Sequence, residues 1–163
     1  LRLAALLQDA GAEAAEALLG RLRLSNRERA RVVALVRHHR IDDAPSWSDA
    51  AVRRWILRVT PELVDDLLDL ARAEPAARDG PPPHTAEVLA DLQRRAHQQL
   101  AAGLPLGTRD LAVSGNDLMD ELGLHPGPRL GELLGDLLDA VLEEPALNER
   151  SRLLDRAREL LRG

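Results

Sequence analysis

The sequence predicts an all-α fold of two small helical subdomains, with about seven or eight helices. Three observations carry this expectation. Apolar residues recur at helical spacing in several separate windows, helix-start residues stand in front of those windows, and no segment alternates convincingly with the period of two of a half-buried strand. The composition agrees. A chain of 163 residues that is 45% hydrophobic and 30% charged can bury one good core or two small ones. No apolar run approaches the roughly 20 residues of a membrane-spanning helix, and no basic region with an apolar core and a small-residue cleavage site opens the chain. The expected location is therefore the cytoplasm, with no membrane partner. The first residue is Leu1, and "LRLAALL" begins in the middle of an apolar pattern, so a piece of a longer protein is expected.

Taken in order, the elements announce themselves by their caps. Ser25 followed by Glu28 is a capping box that opens "NRERARVVALVRHHR". Trp47 and Trp55 are eight apart on one face with Ala51 and Val59, which predicts a core face; Arg53, Arg54 and Arg58 project elsewhere from the same helix. Thr60 is the expected cap of the next helix, with Pro61 at its first position and Leu63, Val64, Leu67, Leu68 and Ala71 as its stripe. "EPAARDGPPPH", residues 74–84, is the one strong break, because consecutive prolines lack backbone donors and push their predecessors out of the helical region. It divides the chain into a body, residues 1–73, and a tail, residues 85–163. In the tail, Val88, Leu89, Leu92, Ala96 and Leu100 form one stripe, Pro128 starts a second helix and Asn148 a third, which carries Leu153, Leu154, Ala157, Leu160 and Leu161.

The helix starting at Pro128 raises a question of its own. Leu130, Leu133, Leu134, Leu137, Leu138 and Val141 form its apolar stripe, while Gly127, Gly131 and Gly135 recur every four residues along the flank. An interior glycine costs about 1 kcal/mol relative to alanine, so a close approach is expected to offset it. Two candidates stand: the backbone of a neighbouring helix, or an RNA phosphate at the free N–H groups of the "Pro-Gly-Pro" entry. Ser114-Gly115-Asn116-Asp117 reads in two ways as well, as a turn with a helix cap or as a phosphate nest.

The chemistry-bearing residues are few. Cysteine is absent, which removes disulfide frameworks and thiolate metal sites. Every cation is an arginine, so no lysine serves as a Schiff-base amine or in a P-loop. No strand-borne Asp-x-Asp is present to hold metal ions against phosphates. The serines 25, 46, 48, 114 and 151 all stand where caps or turns are expected, not beside an activating base. In "RHHRIDD", His38 and Asp42 are four apart and could bind a metal together with Asp9; the alternative is a solvated helix end whose cations suit the C-terminal dipole. Charge is uneven along the chain. Residues 1–60 hold 11 arginines against 7 acidic residues, whereas residues 103–163 hold 7 against 12.

"RDLAVSGNDLMDELGLHPGPRLGELLGDLLDAVLEEPALNERSRLL" resembles the C-terminal region of bacterial tRNA nucleotidyltransferases of the CCA-adding and poly(A) polymerase family. The residues that carry the resemblance fall in order: Asp110-Leu111, Ser114-Gly115, Asp117-Leu118-Met119, Pro126-Gly127-Pro128, Gly131, Pro145 and Asn148. "LRLSNRERARVVALVRHH" and "AVRRWILRVTPELVDDLLDLARAE" resemble the segments that precede it in the same proteins. "LRLAALLQDAG" resembles the family's HD-type segment, but Gln8-Asp9 stands where His-Asp is usual, and an amide is a poor metal ligand. Residues 1–73 are thus expected to be a degenerate HD-like body. Either the loop after that motif is deleted, or residues between Ala10 and Gly11 are missing from the sequence.

What the resemblance implies is addition of nucleotides to RNA 3′ ends by a catalytic head of the same polypeptide, with Mg²⁺ and CTP and ATP as its cofactor and substrates. The head's Gly-Gly-x-x-Arg-Asp and Asp-x-Asp motifs are not in this chain. The expected role of these residues is to bind tRNA or another structured RNA, without catalysis by this region alone. A poly(A) polymerase region, a helical protein-interaction domain and a metal-dependent HD-type hydrolase are the alternatives. With no Phe or Tyr and only two tryptophans, sequence-specific reading of an RNA loop is not expected, which leaves shape and phosphate contacts. The candidate backbone contacts are Arg21, Arg23, Arg27, Arg31, Arg37, Arg53, Arg54 and Arg58, joined in the glycine-rich stretch by Arg109, Gly115, Asn116, Gly127 and Arg129.

Overall fold

The computed structural model describes residues 1–41, 46–73 and 84–162. Among the described residues there are nine α-helices and no strand, so the fold is all-α. No helix among them is long and apolar enough to cross a membrane. Two compact units divide the chain, Leu1–Leu100 and Ala101–Gly163.

The first unit begins with α1 (Arg2–Leu7), which runs into a 3-10 turn and ends at Gly11, whose φ of 81° suits a residue without Cβ. α2 (Ala12–Gly20) packs on α3 (Asn26–His38) through Ala15 and Leu19, against an α3 face that buries Val32, Val33, Leu35 and Val36. The capping box at the start of α3 forms as the sequence predicts. Ser25 N–H donates to Glu28 Oε2 at 2.9 Å, and Glu28 N–H donates to Ser25 Oγ at 3.2 Å. Ser48 opens α4 (Asp49–Val59) in the simpler way, its Oγ accepting from Ala51 N–H at 3.2 Å.

Thr60 departs from expectation. Its side chain makes no capping bond; instead its N–H closes α4 on Ile56 O, and its φ of 71° turns the chain into a 3-10 turn led by Pro61. A β-branched residue in that conformation is strained, and it stays there because the flanking Val59 and Leu63 are buried and fix both ends of the turn. α5 (Val64–Ala73) then buries Val64, Leu67, Leu68, Leu70 and Ala71, the expected stripe.

α6 (Ala86–Ala101) falls in the first unit up to Leu100, although the sequence grouped it with the tail. The expected linker lies outside the described residues, apart from His84. α6 buries Leu89, Leu92 and Ala96, and polar side-chain bonds tie it to the rest of that unit. Arg95 Nε and Nη2 both reach Asp49 Oδ1, at 2.9 and 2.7 Å, and Nη2 also donates to Trp47 O at 2.8 Å. Gln93 Nε2 donates to Asp65 Oδ1 at 2.6 Å, and its Oε1 accepts from Arg72 at 2.7 Å. The Gln93 bond, aided by His97 at 3.0 Å, holds the Asp65 carboxyl below its ordinary value even though desolvation opposes it.

The second unit packs α7 (Gly115–Leu122), α8 (Pro128–Glu143) and α9 (Arg150–Arg162) around Leu118, Leu133, Leu137, Val141, Leu153, Leu154 and Ala157, with Leu111 and Val113 closing the core from the preceding loop. Burial of each such leucine contributes about 1.5–3 kcal/mol. α9 starts at Arg150, after Asn148, and Asn148 does not cap it. The Asn148 side chain turns back across the unit: its Oδ1 accepts from Ala112 N–H at 2.8 Å and its Nδ2 donates to Asp110 O at 3.1 Å. One amide thereby satisfies a donor and an acceptor of the loop that carries Leu111 and Val113. Asn148→Ala is expected to destabilise the second unit by about 1–2 kcal/mol, from the loss of two bonds to backbone. Urea melts monitored by far-UV circular dichroism check this, and Asn148→Asp, which keeps the acceptor alone, should fall between.

Candidate nucleic-acid interface

A guanidinium can hold a phosphate only if no carboxylate of its own protein already holds it, so the candidate arginines separate by partner. Arg53 is buried, 7% exposed, and donates to Gln99 Oε1 at 2.9 Å. It is a joint between α4 and α6 and does not project to solvent, contrary to the sequence expectation. The wide face of Trp55, Ile56 and Val52 draws the α4 surface inward far enough to take Arg53 with it. Arg31 pairs with Asp66 of α5. Arg54 is exposed but partnered. Arg21, Arg23 and Arg27, around the α2–α3 turn, are exposed and make no ion pair among the described residues.

Arg37 and Arg58 are brought together. They line an open cavity of about 370 Å³ together with His38, Arg40, Trp47, Trp55 and Val59. Arg40 was missing from the sequence-based candidates; its signal was the "RHHR" run itself, once Arg58 of α4 is seen to face it. None of Arg37, Arg40 and Arg58 makes an ion pair among the described residues. Partial burial lowers the His38 pKa, and the neighbouring Arg37 and Arg58 charges lower it further. The two indoles are tilted by 52° with centroids 5.7 Å apart. Trp55 is core, as predicted, at 2% exposed, whereas Trp47 is only half-buried.

The second unit disposes of its charges differently. Along α9, Arg150 reaches Asp117 and Glu121 at 3.2 and 3.0 Å, Arg152 reaches Glu149 at 3.3 Å, Arg156 reaches Glu159 at 2.9 Å, and Arg158 reaches Asp155 at 2.6 Å. Such exposed pairs contribute little stability, but they neutralise the surface. Arg109 and Arg129 remain exposed. Ser114-Gly115-Asn116-Asp117 forms a capping box at α7: Ser114 N–H donates to Asp117 Oδ2 at 2.8 Å and Asp117 N–H to Ser114 Oγ at 3.2 Å. Its donors are thus satisfied internally, with a carboxylate where a nest would hold a phosphate. Asn116 is exposed, and Gly115 faces α8, where an added Cβ would lie 3.4 Å from Leu130 Cδ2.

The glycines of α8 do not behave as the sequence suggests. Among the described residues a Cβ built on Gly127, Gly131 or Gly135 meets nothing within 4 Å, so no described helix backbone closes on that flank. The leucine stripe turns α7 and α9 toward the opposite side, and Gly115 makes the close approach instead. Of the alternative metal set, Asp42 lies outside the described residues, and among those described no three His, Asp or Glu residues converge as a metal site. Gln8, at the HD-like position, is buried, whereas Asp9 is exposed and partnered.

Comparison with known proteins bears on this arrangement. The family model described as tRNA nucleotidyltransferase domain 2 matches residues 2–157. The chain belongs to this family. It is 37% identical over 133 residues to the A-adding tRNA nucleotidyltransferase of Deinococcus radiodurans, covering 80% of this chain and 29% of that protein. It is 36% identical over 135 residues to the CC-adding tRNA nucleotidyltransferase of Thermus thermophilus, covering 83% of this chain and 29% of that protein. A shorter match, 33% over 52 residues, links it to a CCA-adding enzyme of Lactococcus lactis subsp. cremoris, covering 32% of this chain and 13% of that protein. The chain thus spans 29% of the length of the first two relatives. No solved structure matches it.

Two measurements follow for this tRNA nucleotidyltransferase domain. The Ser114 hydroxyl, then the Ser114 N–H, then Arg150 pull the Asp117 carboxyl down to about 2. An unfolded aspartate titrates near about 3.9, so the contribution of Asp117 is complete above that pH and is lost as pH falls through about 2. Asp117→Asn is expected to lower stability at neutral pH and to flatten the loss of stability over that acid window, as read by urea melts at stepped pH. Gly131→Ala is expected to raise stability by about 0.5–1 kcal/mol, because helix propensity improves and the methyl enters open space. A lower midpoint in the same melts would show that some other part of the molecule closes on that flank.

Proposed function

We propose that this chain is the tRNA-binding C-terminal region of a tRNA nucleotidyltransferase, which holds RNA by its phosphates while a catalytic head of the same polypeptide adds nucleotides with Mg²⁺, CTP and ATP. The observation that supports the reading most is the contrast in arginine pairing. In the first unit Arg21, Arg23, Arg27, Arg37, Arg40 and Arg58 have no carboxylate partner among the described residues, whereas Arg150, Arg152, Arg156 and Arg158 of α9 are all paired. A structural domain of net charge −5 has acidic residues enough to pair more of them. In the second unit Arg109, Arg129 and Arg162 also lack a carboxylate partner among the described residues, but the larger set, in the first unit, favours an external polyanion there, and the relatives' names as A-adding and CC-adding tRNA nucleotidyltransferases make RNA the polyanion of choice.

The duplex backbone is assigned to the α2–α3 turn. Binding of a tRNA minihelix, made of acceptor and T arms, is expected to weaken linearly in log–log fashion with added salt. Arg21→Gln, Arg23→Gln and Arg27→Gln should each flatten that slope by about 1, and Arg156→Gln, already neutralised by Glu159, should leave it unchanged. Fluorescence anisotropy of labelled minihelix reads the slopes. Binding that ignores salt, or a triple variant with the wild-type slope, overturns the reading.

A further inference from the structure

The cavity between the end of α3 and the α4 helix has a composition that backbone binding does not call for. A phosphate-binding surface needs cations, and it does not need an indole beside them. Here Arg37, His38 and Arg40 come from α3 and its exit, Arg58 from α4, and half-buried Trp47 lines the same cavity. Trp47 is held in place: its carbonyl accepts from Arg95, and its ring leans on buried Trp55. The volume, about 370 Å³, is at the small end of ligand pockets and too small to admit a duplex.

We infer that this cavity takes one unpaired nucleotide, its phosphate on the guanidiniums of Arg37, Arg40 and Arg58 and its base against the Trp47 indole. The inference deepens the RNA-binding reading and rests on it for the source of the nucleotide, an extruded or single-stranded residue of an RNA chain. Guanidinium forks match phosphate oxygens, and aromatic rings accept any base by stacking, so recognition here is tolerant of sequence. The cationic groups crowd one another with no carboxylate among the described lining residues, and partial burial together with the Arg37 and Arg58 charges lowers the proton affinity of His38. A bound dianion or phosphodiester relieves it.

The protein carries its own reporter. Trp47 and Trp55 are the only tryptophans, tyrosine is absent, and both indoles line this cavity. Titrate the chain, with tryptophan fluorescence as readout, against cytidine 5′-monophosphate, a single-stranded oligocytidylate, a blunt RNA duplex of the same length, and inorganic phosphate. The mononucleotide and the single strand are expected to quench emission, the duplex and inorganic phosphate to quench far less. Arg58→Gln is expected to weaken quenching by about tenfold or more while circular dichroism stays unchanged, and Arg156→Gln, in the other unit and paired with Glu159, to leave it intact. Unchanged emission with the mononucleotide and the single strand, equal quenching by duplex, or equal affinity for inorganic phosphate overturns the proposal. Failure here with a normal salt slope for the minihelix would leave the RNA-binding reading standing. Quenching by nucleotide without minihelix binding would remove that reading and keep the site.

Discussion

Burial of leucine stripes in a chain almost without aromatic residues is the constraint on which the other features rest. With 1% aromatic content, no large ring fills space at long reach, so helices must approach closely over small and branched side chains. A chain of 163 residues solves this as two small cores. One gathers Leu19, Leu35, Trp55, Ile56, Leu67 and Leu68; the other gathers Leu118, Leu133, Leu137 and Leu153. Small cores leave loops and helix ends exposed, and these are held by single polar side chains with several bonds each: Asn148 across the second unit, Arg95 and Gln93 across the first.

The same economy governs the arginines. Those that join helices are spent on the fold, as with Arg53 on Gln99, Arg72 on Gln93, and Arg95 on Asp49 and Trp47. Those on α9 are spent on carboxylates three residues or a helix away, which leaves that surface close to neutral. Among the described residues, the arginines without a carboxylate partner include those at the α2–α3 turn and around the Trp47 cavity, with Arg109, Arg129 and Arg162 in the second unit. Composition alone could not reveal this partition, since all the cations are of one type and differ only in what reaches them.

The sequence is legible where one local rule decides. The capping boxes of Ser25 and Ser114 and the stripes of α5, α8 and α9 stand where periodicity and caps put them. It is illegible where a distant partner decides. Thr60 has the composition of a cap, yet it turns with a positive φ because buried residues on either side fix the turn. Asn148 has the composition of a cap too, yet loop 110–112 claims its amide from 36 and 38 residues away. The spacing of Gly127, Gly131 and Gly135 suggested a close approach, but which side of α8 faces the core was set by the stripe, and the glycines were left in the open. Arg53, Arg54 and Arg58 read as one stripe, and tertiary packing sent them to three different environments.

Net acidity is compatible with the proposed RNA-binding role, because the charge is unevenly distributed along the chain. Screening at physiological salt limits each charge to roughly 8 Å, so a phosphate in the proposed site would respond chiefly to Arg37, Arg40 and Arg58, which line it. Overall acidity acts instead on the encounter. It slows non-specific capture of polyanions and penalises any pose that spreads phosphates over neutral or acidic helices such as α8 and α9. The few free guanidiniums then select orientation as much as they add affinity. Such a surface suits the proposed role, in which phosphate contacts fix the register of an RNA more than they add affinity.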